Sequence, residues 1–330
     1  MEQNKKKLKK EWITKTLLFS NLIFIGLILT KAFVFSIDEE KEDLTFHEKF
    51  KQDYKIYSLN LPQKIEFAGE LVPTQLIDVK EKLDRELLVN TYWQSNTMLY
   101  IKRSHKWFPI IEPILEEEGV PNDFKYLALI ESGLTNVVSP SGAAGFWQIM
   151  KATGKENGLE INSEIDERYN LELATRVACK YLNEAKEKFG SWTLAAASYN
   201  MGMNGLSNKL EAQMVDNYYD LLLNEETSRY VFRILAAKQI LSNPSNFGFN
   251  FREKDLYYQV ATEKLTIDTT ITDLAKFGKS NGLNYKVIKQ FNPWLRSSNL
   301  PNASKKVYQL QIPKSEFRTL LVKNTSDTLK

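Results

Sequence analysis

Apolar residues recur at helical spacing through most of the chain. "LIDVKEKLDRELLVNTYW" places Leu76, Val79, Leu83 and Leu87 on one stripe, as an amphipathic helix requires. "FPIIEPILEEEGVPNDFKYLALIES" predicts a short helix stopped by Gly119 and Pro121, then a second with Asn122 or Asp123 as its N-cap. Similar patterns predict helices over 171–189, 192–201, 208–222 and 226–242. Strand-like alternation is scarce until "YYQVATEKLTI" near residue 257 and "KVYQLQIP" near 306. Pro244 to Gly248 reads as a boundary. The expected fold class is mainly α: a helical domain over 60–250, a small α+β module over 255–315 and a tail, 316–330.

The start of the chain changes this picture. "KKKLKKEWITK" precedes the apolar run "TLLFSNLIFIGLILT", the order found in secretory signals and signal-anchors. Extended through Ala32 to Ile37, with Lys31 snorkelling, residues 16–37 approach the roughly 20 that a bilayer needs. Residues 1–37 are therefore expected to be an uncleaved anchor or a signal peptide, and 38–59 a charged tether. Both alternatives place the rest in the cell envelope, on the extracytoplasmic (periplasmic) side. The formal charge of +3 resides in this segment: residues 1–15 carry a net +4 and the remainder a net −1. No nucleic-acid partner is expected from it. With one cysteine, Cys179, no intramolecular disulfide can form, and its apolar stripe reads as packing. His47 and His105 lack metal-ligand spacing between them or to Cys179. Neither a metal nor a cofactor is expected.

The candidate chemistry begins at Glu131. On a helix, Phe124, Leu127, Ala128 and Glu131 share a face, while Tyr126, Leu129 and Ile130 make the other side apolar too. A helix apolar nearly all round is buried. A carboxyl at its end either marks the wet tip or sits in apolar surroundings that raise its pKa and suit a general acid. The loop "SPSGAAG" then supplies small residues that let a bulky ligand approach the backbone, or forms an ordinary turn. Trp147 offers either a face for a sugar ring or a core aromatic, and Gln148 an amide for ligand hydroxyls or acetamido groups.

"ES" followed by "SPSGAAGFWQIM" resembles the signature of the family 1 lytic transglycosylases, whose soluble-lytic-transglycosylase domain is related to goose-type lysozyme. "AAASYNMG" at 195–202 and "EETSRYV" at 225–231 resemble the family's Ala-Tyr-Asn-x-Gly and Glu-Thr-x-x-Tyr motifs. With "FAGELVP" and "FPIIEPILEEEGVPNDFKYLALIES", the likeness is to the membrane-bound lytic transglycosylase D group. There, Phe146-Trp147 in place of the superfamily's Leu-Met is usual. The resemblance implies a lysozyme-like helical domain with Glu131 as catalytic acid/base. It further implies that Ser132, Ser141, Gln148, Tyr199, Asn200 and Tyr230 serve the substrate, with Tyr230 bonded near Glu131. The implied substrate is the peptidoglycan glycan strand, and the implied reaction closes a 1,6-anhydro ring without water. One acid suits assistance by the 2-acetamido group; Asp166 and Glu164 are candidates for a second.

"FNPWL" and the closing "LQIP" resemble a LysM module, although "TIDTTITDLA" replaces the expected Gly-Asp-Thr start. Such a module binds glycan through candidates such as Trp294 and Tyr285, or braces the helical domain; Trp294 suits the module's own core equally well. Three functions stay open at this point: a lytic transglycosylase, a water-using muramidase and a non-catalytic wall-binding protein.

Overall fold

The computed structural model describes residues 44, 45, 48, 56–62 and 64–314. The expected anchor, most of the tether, His47 and the tail lie outside the described residues. Contacts divide the chain into two units, Met1–Tyr57 with Thr319–Lys330, and Ser58–Arg318. In the first, Leu44, Thr45 and Glu48 are helical. The second holds the other described helices and strands. Among the described residues no helix is long and apolar enough to cross a membrane.

A short antiparallel hairpin, β1 (Glu66–Phe67) and β2 (Glu70–Leu71), precedes the helices. Its turn residues Ala68 and Gly69 both take positive φ, 50° and 80°, which matches the twist of the flanking strands. The Ala68 N–H donates to Asp123 (2.7 Å), and Lys238 also bonds Asp123 (2.7 Å). Asp123 is thus spent on tertiary contacts and does not cap a helix as expected. Instead a 3-10 turn, Asn122–Phe124, leads into the next helix without a side-chain cap.

Eight helices follow: α1 (Ile77–Tyr92), α2 (Gln94–Glu117), α3 (Lys125–Ser132), α4 (Lys151–Glu156), α5 (Leu171–Phe189), α6 (Trp192–Met201), α7 (Met203–Gln213) and α8 (Glu225–Ser242). Two differ from expectation. The short helix before Gly119 is the second half of the 24-residue α2, which runs through Pro109 and Pro113. A proline costs a helix about 3 kcal/mol, but burying Phe108, Ile111 and Leu115 returns about 1.5–3 kcal/mol each. The helix expected over 208–222 ends at Gln213. There Met214 turns left-handed (φ 53°). The Gln213 side chain then clasps Leu222, donating to its carbonyl (3.0 Å) and accepting its N–H (2.8 Å).

The short α3 lies against α2 and α8, while α6 packs on α5, α7 and α8. Leu83, Leu87, Phe124, Leu127, Trp147 and Tyr230 are fully buried in this core. Charged knots tie it together. Buried Glu86 on α1 accepts from Arg229 on α8 (2.6 Å). Glu70 reaches the start of α6, where Trp192 N (2.6 Å), Thr193 N (2.9 Å), and the hydroxyls of Ser191 and Thr193 (2.7 Å each) all donate to it.

The C-terminal part runs strand, helix, helix, strand: β3 (Thr262–Ile267), α9 (Leu274–Ser280), α10 (Tyr285–Phe291) and β4 (Tyr308–Pro313). The strands pair antiparallel from Thr262↔Pro313 to Ile267↔Tyr308. The first begins later than expected because Tyr257 and Tyr258 are occupied on α2. His105 bonds the Tyr257 carbonyl (2.9 Å) and meets the Tyr258 ring edge-on. Trp294 is buried and stacked on Tyr308, with ring centroids 5.6 Å apart. Of its two expected places, the core and a sugar-stacking surface, Trp294 takes the core; Tyr285 remains exposed.

Burial pushes the Glu70 carboxyl up, but bonds from Thr193, Ser191 and Trp192 outweigh it and hold the group below the usual range. A depressed folded-state pKa stabilises above the ordinary glutamate value, and that contribution is lost as pH falls through the depressed one. Glu70→Gln should therefore cost about 2 kcal/mol at neutral pH. The gap in urea midpoint between variant and wild type should narrow in acid. An equal gap at both pH values would show that the carboxylate is not its source.

Candidate active site

Helix α3 carries Glu131 in its last turn, after Tyr126 to Ile130, all of them buried. Gly133 ends the helix in the left-handed region (φ 61°), its N–H returning to the Leu129 carbonyl (2.8 Å), as C-terminal glycines do. Arg103 of α2 donates to the Gly133 carbonyl (3.0 Å). The tip that holds Glu131 is thus fixed from both sides.

The Glu131 side chain is half-buried. Tyr230 of α8, itself 1% exposed, donates its hydroxyl to Glu131 Oε1. Burial raises the carboxyl above its ordinary range. The Tyr230 bond and the charge of Arg233 oppose that rise, and the charge of Glu226 adds to it. Arg233 is held one turn along α8 from Tyr230, where it donates to the Ile130 carbonyl (2.8 Å). Burial also pushes the phenols of Tyr199 and Tyr230 well up, and the nearby Glu131 charge pushes the same way. Both therefore act as hydrogen-bond donors, never as phenolates, at physiological pH.

The loop after α3 folds back on itself through bridges Val138↔Ala144 and Ala144↔Ile149. Ser132 ties this loop to the helix: its hydroxyl lies 2.8 Å from the Phe146 carbonyl and 3.2 Å from that of Ala128. Gln148 sits at φ 47°. Its Nε2 donates to Val137 O (3.0 Å) and Gly145 O (2.8 Å). The amide nitrogen is therefore committed to the loop, and the amide oxygen remains as the group to meet a ligand donor. Ser141 is exposed at the rim, 3.5 Å from Ser139.

Trp147 turns inward. Its ring is fully buried, its Nε1 donates to Thr175 (2.8 Å), and its carbonyl accepts from Tyr199 (2.8 Å). The reading as a platform for sugar is corrected: a satisfied indole inside the core has no free face. Asn200 accepts from the Thr227 hydroxyl (2.8 Å) and donates to Glu226 (3.3 Å), so it joins the end of α6 to the start of α8.

Tyr230 and Tyr199 thus lie by Glu131, Ser132 and Gln148 hold the loop that follows it, Asn200 joins α6 to α8, and Ser141 is exposed on the loop. Asp166 stands apart as a second acid. It is buried and spent on Arg168, which bonds both its oxygens (3.0 and 2.7 Å). Glu164 is half-buried, with its Oε2 accepting from the Ser163 hydroxyl (2.7 Å). Arg233, Glu226 and Arg168 were missed by the sequence reading. Arg233 was within reach of it, because three residues from Tyr230 it shares that helical face. Cys179 is buried and its thiol is pushed up to about 12, chiefly by burial, which leaves it unreactive. Among the described residues no group of three His, Cys, Asp or Glu could hold a metal.

Two substitutions probe this geometry. Gly145 has φ 81°, and a Cβ there would lie 2.1 Å from the Arg168 carbonyl. Gly145→Ala should cost about 3 kcal/mol or more, read as a lowered thermal midpoint. Tyr230→Phe removes a bond that lowers the Glu131 pKa, so that pKa should rise further. Any activity that needs protonated Glu131 should then persist to higher pH, although at a reduced maximum. An alkaline limb that moves down or stays fixed would count against the Tyr230 contact.

Residues 108–221 match the model of the transglycosylase SLT domain, and residues 263–316 that of the soluble lytic transglycosylase C-terminal LysM-like domain. Over 229 residues the chain is 26% identical to the membrane-bound lytic murein transglycosylase D of Escherichia coli K12, and equally so to that of a second Escherichia coli strain, O6:H1. The match covers 67% of this chain and 49% of the relative, so the chain spans about half the length of the curated relatives it matches. Among solved structures, an inactive mutant of the lytic transglycosylase Slt from Pseudomonas aeruginosa aligns with 16% identity and a TM-score of 0.34. It covers 56% of this chain and 36% of that one. Tyr230 and Glu226 lie beyond the matched SLT segment.

Proposed function

From the premise that this chain carries an SLT transglycosylase domain followed by a C-terminal LysM-like domain, a member of the lytic transglycosylase family distantly related to the Escherichia coli enzyme, we propose that it cleaves peptidoglycan with Glu131 as its single acid/base. The bond is the β-1,4 link from N-acetylmuramic acid to N-acetylglucosamine. The observation that carries this reading is the Tyr230–Glu131 contact, made at the end of a buried helix where burial keeps the carboxyl protonated to higher pH.

Tyr230 holds Oε1, so Oε2 carries the acidic proton. In the first step Oε2–H protonates the glycosidic oxygen as the C1–O4 bond breaks, and the 2-acetamido oxygen supports the positive centre. The new carboxylate is stabilised by the Tyr230 hydroxyl and the Arg233 charge, which favour the ionised form. In the second step Oε2 takes the proton of the C6 hydroxyl while O6 bonds C1. The net change moves one proton from O6 to O4 and leaves a 1,6-anhydro end; no water enters. Gln148 offers its oxygen to the acetamido N–H. Ser141 and Asn200 meet sugar hydroxyls at the cleft edges, and Tyr199 lines the wall. Ser132 serves the substrate indirectly by pinning the loop to α3.

A hydrolytic muramidase is the second reading. It needs a carboxylate to activate water, and Glu226, whose charge reaches Glu131, is the residue that favours it. Residues 16–37 would anchor the protein in the cell envelope, with the remainder on the periplasmic side. The Escherichia coli relative's description as membrane-bound supports that reading.

Mass spectrometry of digested cell wall tests the proposal. Anhydro ends are expected; reducing ends would establish the muramidase, and no release would leave a binding protein. Glu131→Gln should lower turnover by about a thousandfold. It should also alter the pH dependence of stability. A raised folded-state pKa makes wild type lose stability as pH rises from the ordinary glutamate value through the raised one. Compared by thermal melting across a pH series upward from about pH 4, the amide variant should gain on wild type as pH rises. Residual turnover within about tenfold of wild type would move the catalytic role elsewhere.

A further inference from the structure

We propose that the C-terminal LysM-like module is a positioning element of the active site, acting through Arg168 on the loop that carries Gln148. The importance of this loop rests on the function proposed above; the mechanical coupling does not.

The seam between the module and the helical part is built as a protein interior. Ala144 from the active-site loop, together with Ile165 and Tyr169, belongs to the same buried cluster as Ile271, Leu274, Trp294 and Leu310 of the module. Ala144 and Leu310 are fully buried. Backbone bonds cross the seam: Asp166 N–H donates to Trp294 O (2.9 Å) and Arg296 N–H to Glu164 O (2.6 Å), beside the bridge Ile165↔Leu295. Side chains add to them. Lys306 bonds Glu160 (2.7 Å) and Glu167 (3.3 Å), and the Tyr308 hydroxyl donates to Glu160 (2.9 Å). The Arg296 guanidinium lies 4.3 Å from the centre of the Tyr169 ring.

The same segment, 160–169, supports the active-site loop from beneath. Arg168 Nη1 donates to Gly142 O (2.8 Å) and Ile149 O (3.1 Å), the two ends of the turn that carries Gln148. Its own carbonyl occupies the space where a side chain at Gly145 would be. Asp166 completes the path: its carboxylate orients the Arg168 fork, while its N–H is fixed by the module. A planar guanidinium with donors at fixed angles can hold two carbonyls and a carboxylate together, which an ammonium cannot do. Trp294 and Tyr308 are thus spent on this seam and its packing. A module joined only by a mobile tether would need no continuous core with its neighbour.

Two variants of the full chain test the coupling. The triple variant Arg296→Ala, Lys306→Ala, Tyr308→Phe weakens the seam while leaving the ring packing in place. Arg168→Lys keeps the charge but loses the fork. For each, amide hydrogen exchange would be followed at Ala144 and Ile149, which bond each other across the loop (3.1 Å each way). Turnover would be measured on a soluble, uncrosslinked glycan oligomer too short to reach beyond the cleft. Both variants should speed exchange at Ala144 and Ile149 by about tenfold or more, with amides of α1 and α8 unchanged. KM on the oligomer should rise more than kcat falls, because the loop binds substrate and carries no acid. Wild-type exchange at Ala144 and Ile149 in both variants would overturn the proposal. So would faster exchange there with unchanged KM in an active enzyme. A wild-type protein without glycan cleavage would defeat the functional reading alone, since the exchange data would still judge the coupling.

Discussion

The hydrogen bond from Tyr230 to Glu131 joins the two requirements that the rest of the structure serves. The carboxyl must sit where burial raises its pKa, yet it must point one way. A buried carboxyl left alone would hold its proton too firmly to release it and would rotate. The phenol donates to one oxygen and, in the reaction proposed above, leaves the other to carry the proton. The Arg233 charge, held by the Ile130 carbonyl, tempers the rise that burial produces. The consequence lies on two links at once, the electrostatics of one group and the packing of α3 against α8.

Keeping that pair in register requires helices that do not slide, and buried polar groups supply the constraint. Glu86 links α1 to α8, Glu70 links the opening hairpin to α6, and Asn200 with Thr227 links the end of α6 to the start of α8. Each has directional partners on a different element, so a shifted helix would leave the buried Glu86 or the half-buried Glu70 and Asn200 short of partners. Arg168 plays the same part for the loop. The site is thus placed by polar contacts of fixed direction, and the apolar core around Trp147 and Phe124 supplies the bulk of the stabilisation.

Much of the helical architecture was legible because apolar spacing reports a buried face whatever the neighbours are. Helices α5, α6 and α8 fall where the pattern places them, capped by Asn170, Ser191 and Asn224. The errors share one cause. Asp123 has the chemistry of an N-cap, yet Ala68 and Lys238, both distant in sequence, claim its carboxylate. Residues 214–222 have helical spacing, but the Gln213 clasp on Leu222 fixes a turn there. The α2 prolines read as punctuation, and long-range burial overrides them. For Asp123 and the prolines partners far along the chain decided between local options of similar energy, and for residues 214–222 a clasp nine residues wide did so.

The sequence by itself determined the candidate acid, the small-residue loop, the ordered motifs and the order of elements in the C-terminal module, because these depend on residue type and near-neighbour spacing. Only the tertiary structure decided the orientation of Trp147 and Trp294. An aromatic ring suits a sugar face and a core equally well, and the difference lies in whether Thr175 and Tyr308 are there to meet it. It likewise decided that Asp166 is committed to Arg168, and that the module shares a core with the active-site loop. Trp147 meets Thr175, and Ala144 shares a core with Leu310, across many intervening positions, and although Asp166 and Arg168 are two residues apart, spacing alone does not say that their side chains are turned to each other.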